Sequence, residues 1–191
     1  MIPIDAYVEL GEGCEYLVTS LQGLGFRLAL ARRLPGCSAK LSTVGGLRLS
    51  EYSEKGPGLR LSEFGANADL SEVLLVRLTK LDLRKLKDAM SRHPNVVRAI
   101  VVKFSEIREL RRRGSLDLRV LRSLFQLALD RHAPLLMGSG AGHPEELLSP
   151  RALYSPLSTL AGNFWSMSDY RRAETYLYES AVMRIDDEPR L

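Results

Sequence analysis

Ala99-Ile-Val-Val-Lys103, Ala133-Pro-Leu-Leu-Met137 and the turn Gly138-Ser-Gly-Ala141 that follows it, together with Ser149-Pro-Arg-Ala-Leu153, decide the fold of this 191-residue chain. The first two are short apolar runs of the kind a strand buried on both faces requires. Between them Leu118, Leu121, Leu124, Phe125 and Ala128 fall at i, i+3 and i+4 spacing, which predicts an amphipathic helix over about 117–131. Ser149 is a good N-cap and Pro150 suits the first helical position, so a further helix opens there. Strand, helix, strand, helix at this spacing builds a parallel sheet with right-handed crossovers.

Working outward, Ile4 to Leu10 reads as a first strand and Cys14 to Gln22 as a helix whose stripe is Leu17, Val18 and Leu21. Gly23-Leu-Gly25 supplies the glycines a helix end prefers, and Phe26 to Ala31 is the next strand. Val73 to Val76 is a buried-type strand, and Asp82 caps a helix with Leu83, Leu86, Ala89 and Met90 on its core face, ended by His93-Pro94. Val96 to Val102 is the strand after it, and a last helix is expected from Ser168 or Asp169 to about Met183. Pro156, inside the helix opened at Ser149, predicts a kink or restart there. Residues 34–69 are rich in Gly, Ser and Pro; Leu47-Arg-Leu-Ser and Leu59-Arg-Leu-Ser inside them read as a strand pair or an excursion on the side of the sheet. The expectation is one α/β domain over 1–185 with a frayed tail at 186–191, and no glycine fingerprint after the first strand favours a barrel, complete or not, over an open doubly wound sheet.

No run approaches a membrane span, and Met1-Ile-Pro-Ile-Asp-Ala lacks the basic start of an export signal, so a cytoplasmic protein is expected. Cys14 and Cys37 have no short spacing and point to a reducing compartment, with a disulfide between them as the lesser alternative. Few Asn and Gln against many Leu, Arg and Glu lean towards a thermophile or a GC-rich genome.

Charge is segregated. Residues 77–131 hold 15 Lys and Arg against 6 Asp and Glu, a local +9 in a chain of net +4. Such concentration is the footprint of a polyanion-binding face, or of solvated helix faces in a basic protein. Arg108, Arg111 and Arg112 would share one helical face, with Arg113 next to them, and an arginine fork suits phosphate oxygens. Arg84, Lys85 and Lys87 lie off the core stripe of their helix and come second; Arg151, at a helix start that itself favours phosphate, comes third.

Catalytic constellations are scarce. Gly138-Ser-Gly-Ala-Gly142 follows a strand and precedes a helix, but it has neither P-loop nor dinucleotide spacing, and a tight turn that brings small residues close to the sheet is the preferred reading. Met137 stands where a nucleophile elbow would have glycine, which removes Ser139 as a hydrolase serine. His93, His132 and His143 stand alone, and helix-start acids account for Glu145 and Glu146 without a metal.

The order strand, Ser139-Gly140-Ala141, then Glu146-Leu-Leu-Ser149-Pro150-Arg-Ala-Leu153 and a final alanine-bearing helix, resembles ribonuclease P protein component 3, the archaeal counterpart of the barrel-shaped protein subunit of nuclear ribonuclease P. Leu24-Gly-Phe26 is similar to the family as well. Leu148 stands where the family often has arginine, and the chain looks short, with 35–69 poorly matched. The resemblance implies a TIM-barrel-like α/β fold, complete or trimmed, with mostly parallel strands and helices outside. It implies a noncatalytic subunit of the RNA-based endonuclease that removes the 5′ leader of precursor tRNA. The partners would be ribonuclease P RNA, a second small protein subunit and, indirectly, precursor tRNA; the protein would bind no cofactor, the Mg²⁺ being used by the RNA. The rivals are a small barrel enzyme holding a phosphorylated metabolite at Gly138–Gly142, and a basic module that docks an acidic protein.

Overall fold

The computed structural model describes residues 3–37, 46–53, 59–64, 70–94, 96–161 and 175. Its strands are β1 (Ile4–Leu10), β2 (Leu28–Arg33), β3 (Arg48–Ser53), β4 (Leu59–Phe64), β5 (Val73–Val76), β6 (Ala99–Lys103) and β7 (Leu135–Gly138). The helices are α1 (Cys14–Gly23), α2 (Leu83–Arg92), α3 (Phe104–Arg112), α4 (Leu118–Asp130) and α5 (Pro150–Ala161), with short 3-10 turns at Leu78–Lys80 and Pro144–Glu146. The strands form one sheet in the order β1 to β7, and every neighbouring pair is parallel. The result is a nearly closed, TIM-barrel-like α/β sheet with an unsealed seam between β1 and β7. Val73 to Val76, Ala99 to Val102 and Leu135 to Met137 are buried throughout, as strands packed on both faces must be.

Seven strands come close to closure because the seam is stitched at one end. Gly140 N donates to Tyr7 O and Glu9 N to Ala141 O, both at 2.9 Å, just beyond the last residue of β7. Ser139 N donates to Asp5 Oδ1 at 2.8 Å. Lys103, the register partner of Gly138, reaches past it to Glu9 Oε1 at 2.7 Å. A side chain at 138 would forbid all this: a Cβ there would lie 2.8 Å from Tyr7 Cα and closer still to Tyr7 N and Cβ. Gly138 therefore marks where two backbones meet, the tight-turn reading of the sequence.

Local chemistry sets most helix boundaries. Asp82 Oδ1 accepts from Arg84 N and Lys85 N, so Asp82 caps as expected, and the structure adds a second cap, Asp117 Oδ1 accepting from Arg119 N. Three expectations are sharpened or corrected. Of the two readings of the Leu47 and Leu59 runs the strand pair holds and the side excursion does not: they are β3 and β4, successive members of the main sheet, paired among the described residues at Tyr52–Leu59 and Ser53–Arg60. Pro156 does not interrupt α5. Proline leaves Ala152 O without its helical donor, and Ser155 Oγ supplies the missing bond at 3.2 Å.

The third correction concerns the cysteines. Cys14 and Cys37 are joined in a disulfide, their Cα atoms 5.6 Å apart. The 23-residue separation hides the pair in the sequence, but Cys14 follows β1, Cys37 follows β2, and adjacent parallel strands deliver their ends to the same rim. Residues 168–174 and 176–183 of the expected last helix, and the tail 186–191, lie outside the described residues. Among the described residues no helix is long and apolar enough to cross a membrane.

Candidate nucleic-acid interface

In a parallel barrel each helix begins beside the C-terminal end of the strand before it, so helix starts collect on one face. The cationic residues singled out in the sequence follow that rule in part. Arg84, Lys85 and Lys87 occupy the first turns of α2 and Arg151 the first turn of α5, whereas Arg108 lies midway along α3 and Arg111, Arg112 and the C-cap Arg113 lie at its far end. All eight are exposed. α3 is anchored by burial of Ile107 and by Glu106, whose Oε1 accepts from Thr79 N and Oγ1 at 3.0 and 2.9 Å. The helix is thereby fixed to the turn that follows β5.

The four arginines of α3 are not equivalent. Glu109 takes Arg112 in a two-point contact at 3.0 and 2.9 Å and Arg113 Nε at 2.7 Å. Those hydrogen bonds hold the Glu109 carboxyl below the usual carboxylate range, with Arg112 the larger cause and Arg113 next. Arg108 and Arg111 have no ion-pair partner among the described residues, and they are the donors most available to an incoming phosphate. Lys85 has a loose contact with Asp82 at 3.8 Å.

Beside α3 runs a groove of about 380 Å³. Leu78 and Thr79 form one wall, Leu110 and Arg113 of α3 a second, and Ser115, Leu116, Asp117, Val120 and Leu121 the third. Neither the groove nor its lining was legible as a unit, since it draws on the ends of three elements.

The Gly138–Gly142 loop is spent on the fold. Ser139 N goes to Asp5, Gly140 N to Tyr7 O, Ala141 N to Ser139 Oγ at 3.1 Å, and Gly142 N and His143 N to Glu146 Oε2 at 2.8 and 3.3 Å. Five successive amides are committed to protein acceptors, two of them to a carboxylate sitting where a phosphate would have to bind. This arrangement offers no cradle for the phosphorylated metabolite of the enzyme rival. Ser139, Gly140 and Ala141 thus stitch one end of the seam, and Ser149 Oγ caps α5 by accepting from Ala152 N at 3.3 Å, with Pro150 at the helix start.

The sequence reading missed an interior polar cluster at the seam. Asp5 is fully buried; its Oδ1 accepts from Ser139 N and Tyr7 N, while Oδ2 has no hydrogen-bond partner among the described residues. Burial raises its pKa to about 6 against the opposing effect of those hydrogen bonds. Lys103 Nζ stands 4.3 Å from the Tyr7 ring centroid, Tyr7 OH donates to Glu9 Oε1 at 3.2 Å, and Tyr52 OH donates to Ala6 O at 2.6 Å. Burial pushes the Tyr7 and Tyr52 hydroxyls upward. The available signal was Asp5, Tyr7 and Glu9 at every second position of an otherwise apolar strand.

His93 and His132, far apart in sequence, line one pocket of about 180 Å³ with Asp130 and Arg131 between the ends of α2 and α4. Among the described residues no group of three or more His, Cys, Asp or Glu could hold a metal ion. No family model, curated protein or solved structure matches this chain.

Proposed function

We propose that the chain is a noncatalytic, RNA-binding protein subunit of ribonuclease P, the RNA-based endonuclease that removes the 5′ leader of precursor tRNA. The observation that carries the reading is the eight exposed cations on or next to α2, α3 and α5, alongside the local +9 of residues 77–131. The likeness of Ser139-Gly140-Ala141 and Glu146 to Leu153 to protein component 3 supplies the family, and the barrel is the fold that likeness implies. In this role Arg108 and Arg111 contact phosphates first, then Arg112 and Arg113 by exchanging Glu109 for RNA, with Arg84, Lys85, Lys87 and Arg151 extending the footprint. Each neutralised phosphate releases counterions and lets RNA helices approach, which lowers the Mg²⁺ the catalytic RNA requires. A second small protein subunit completes the assembly, precursor tRNA is met through the RNA, and the complex works in the cytoplasm.

The test is precursor-tRNA cleavage at limiting Mg²⁺ by the cognate ribonuclease P RNA, alone, with the second subunit, and with both proteins. Rescue only with both proteins is expected. Cleavage by this chain without RNA, or no rescue by folded protein with competent RNA, overturns the proposal.

A further inference from the structure

We propose that the groove between α3 and α4 is a slot for one unstacked nucleobase of single-stranded RNA, and that Asp117 makes it select bases carrying an amino group. The inference rests on the RNA-binding reading above and adds to it what phosphate contacts cannot supply, a preference among sequences.

Three features point there. Leu78, Leu110, Leu116, Val120 and Leu121 give apolar walls, and a volume of about 380 Å³ lies at the lower end of small-ligand pockets, which span roughly 300–1,000 Å³. The charge around it fits a nucleic acid strand. Arg113 lines the groove, Arg111 lies on the same helix, and Arg119 follows Asp117 at the start of α4, so phosphates on either side of an inserted base would meet guanidiniums. Finally, Asp117 is the only acidic residue of the lining, and it spends only Oδ1 on the cap of α4 at 2.8 Å from Arg119 N. A second carboxylate oxygen at the wall of an apolar slot accepts a hydrogen bond from an exocyclic amine, which adenine, cytosine and guanine carry. Uracil has no exocyclic amine, and its single N3–H donor is flanked by two carbonyl oxygens that a carboxylate repels. Single-stranded segments are also where RNA bases are free to leave the stack.

The test uses the full chain and short single-stranded oligonucleotides of equal length with cytosine, uracil or an abasic residue at the centre, read by fluorescence anisotropy. Wild type is expected to bind the cytosine oligonucleotide about tenfold tighter than the abasic one, the scale of one sequestered base. Val120→Arg adds a positive charge and fills the slot, so a purely electrostatic surface would bind tighter; the proposal requires loss of the base preference. Asp117→Asn keeps the helix cap, because asparagine caps equally well, and brings a donor; it is expected to erase the discrimination between cytosine and uracil, while the lost negative charge tightens binding of all three oligonucleotides alike. Equal wild-type affinity for all three oligonucleotides overturns the slot and leaves the phosphate-binding reading standing. A Val120→Arg chain that keeps the base preference overturns the slot as well. Absence of binding to any of them overturns both readings together.

Discussion

Reduction of the Cys14–Cys37 bridge is the cleanest perturbation the fold offers, because it changes no side-chain packing outside the two sulfurs. The bridge spans 23 residues and ties the start of α1 to the chain leaving β2. In the chain-entropy treatment a loop of that length removes about 11 cal/mol/K from the unfolded ensemble, or ~3.4 kcal/mol at 25 °C. A chain of 191 residues has an unfolding entropy on the order of 0.4 kcal/mol/K near its midpoint. Dividing one by the other gives a fall in Tm of about 8 °C. The assay is differential scanning calorimetry with and without a non-thiol reductant, paired with thiol alkylation and mass spectrometry to confirm the redox state. The variant Cys14→Ser with Cys37→Ser should reproduce the reduced midpoint and show no response to reductant. Two free, alkylatable thiols in the untreated native protein would refute the bridge, and a Tm unmoved by complete reduction would refute the entropic reasoning.

Other outcomes follow from the seam and from α3. Gly138→Ala drives a Cβ into the Tyr7 backbone, 2.8 Å from its Cα, so β1 and β7 must part; a loss of at least about 3 kcal/mol is expected in urea unfolding, together with faster hydrogen exchange at the Glu9 and Gly140 amides. Asp5 has a folded pKa raised to about 6 from 3.8, so its proton is bound more tightly in the native state. Its contribution to stability is therefore full below pH 3.8 and falls as pH rises towards 6, by roughly 3 kcal/mol. Asp5→Asn should remove that one-proton slope, measured as the difference between the two proteins' stability profiles from pH 4 to 7; parallel profiles would contradict the burial argument. Glu109→Gln releases Arg112 and Arg113 from their shared carboxylate and should tighten RNA binding and steepen its salt dependence. The pair Arg108→Ala and Arg111→Ala should flatten the slope of log K against log salt by about 1.5; an unchanged slope removes those two residues from the interface.

The parallel strands could be read from the sequence because burial on both faces writes itself as uninterrupted apolar runs, as in Ala99 to Val102 and Leu135 to Met137. The cap at Asp82 was legible for a similar reason: the whole device lies within three residues. For β3 and β4 the alternation was visible but their place was not, since Arg48, Ser50, Arg60 and Ser62 interrupt the apolar pattern and only register with neighbouring strands fixes where they go. The seam was invisible for the same reason. Asp5, Glu9, Lys103 and Gly138 meet across three strands, and no spacing within one segment announces the contact. Of the interface, the helical face of Arg108, Arg111 and Arg112 followed from periodicity. Glu109's two-arginine grip was hidden, because a charged residue at i+3 and i+4 fits solvation and pairing equally well. The groove, assembled from the turn after β5, the end of α3 and the start of α4, has no sequence signature at all.

The disulfide and the proposed role pull in different directions, and temperature reconciles them. Sparse cysteines in a cytoplasmic RNA-binding subunit imply thiols kept reduced, whereas Cys14 and Cys37 are bonded. Intracellular proteins of hyperthermophiles are the exception to that rule, being rich in disulfides. This chain has the matching composition, with 3 Asn and 2 Gln among 191 residues, the thermolabile amides such proteins avoid. A staple is also useful here for a structural reason. Among the described residues there are seven strands, a seam joined by a handful of bonds and a two-residue overlap between β3 and β4, and no continuous ladder among them locks β1 in place. The bridge holds the chain at the ends of β1 and β2, next to the strand that carries Asp5, Tyr7 and Glu9 to the seam. Reduction should therefore raise hydrogen exchange at the β1–β7 bonds before it affects β5 and β6, and uniform exchange across the sheet would show that the staple acts on the unfolded chain alone.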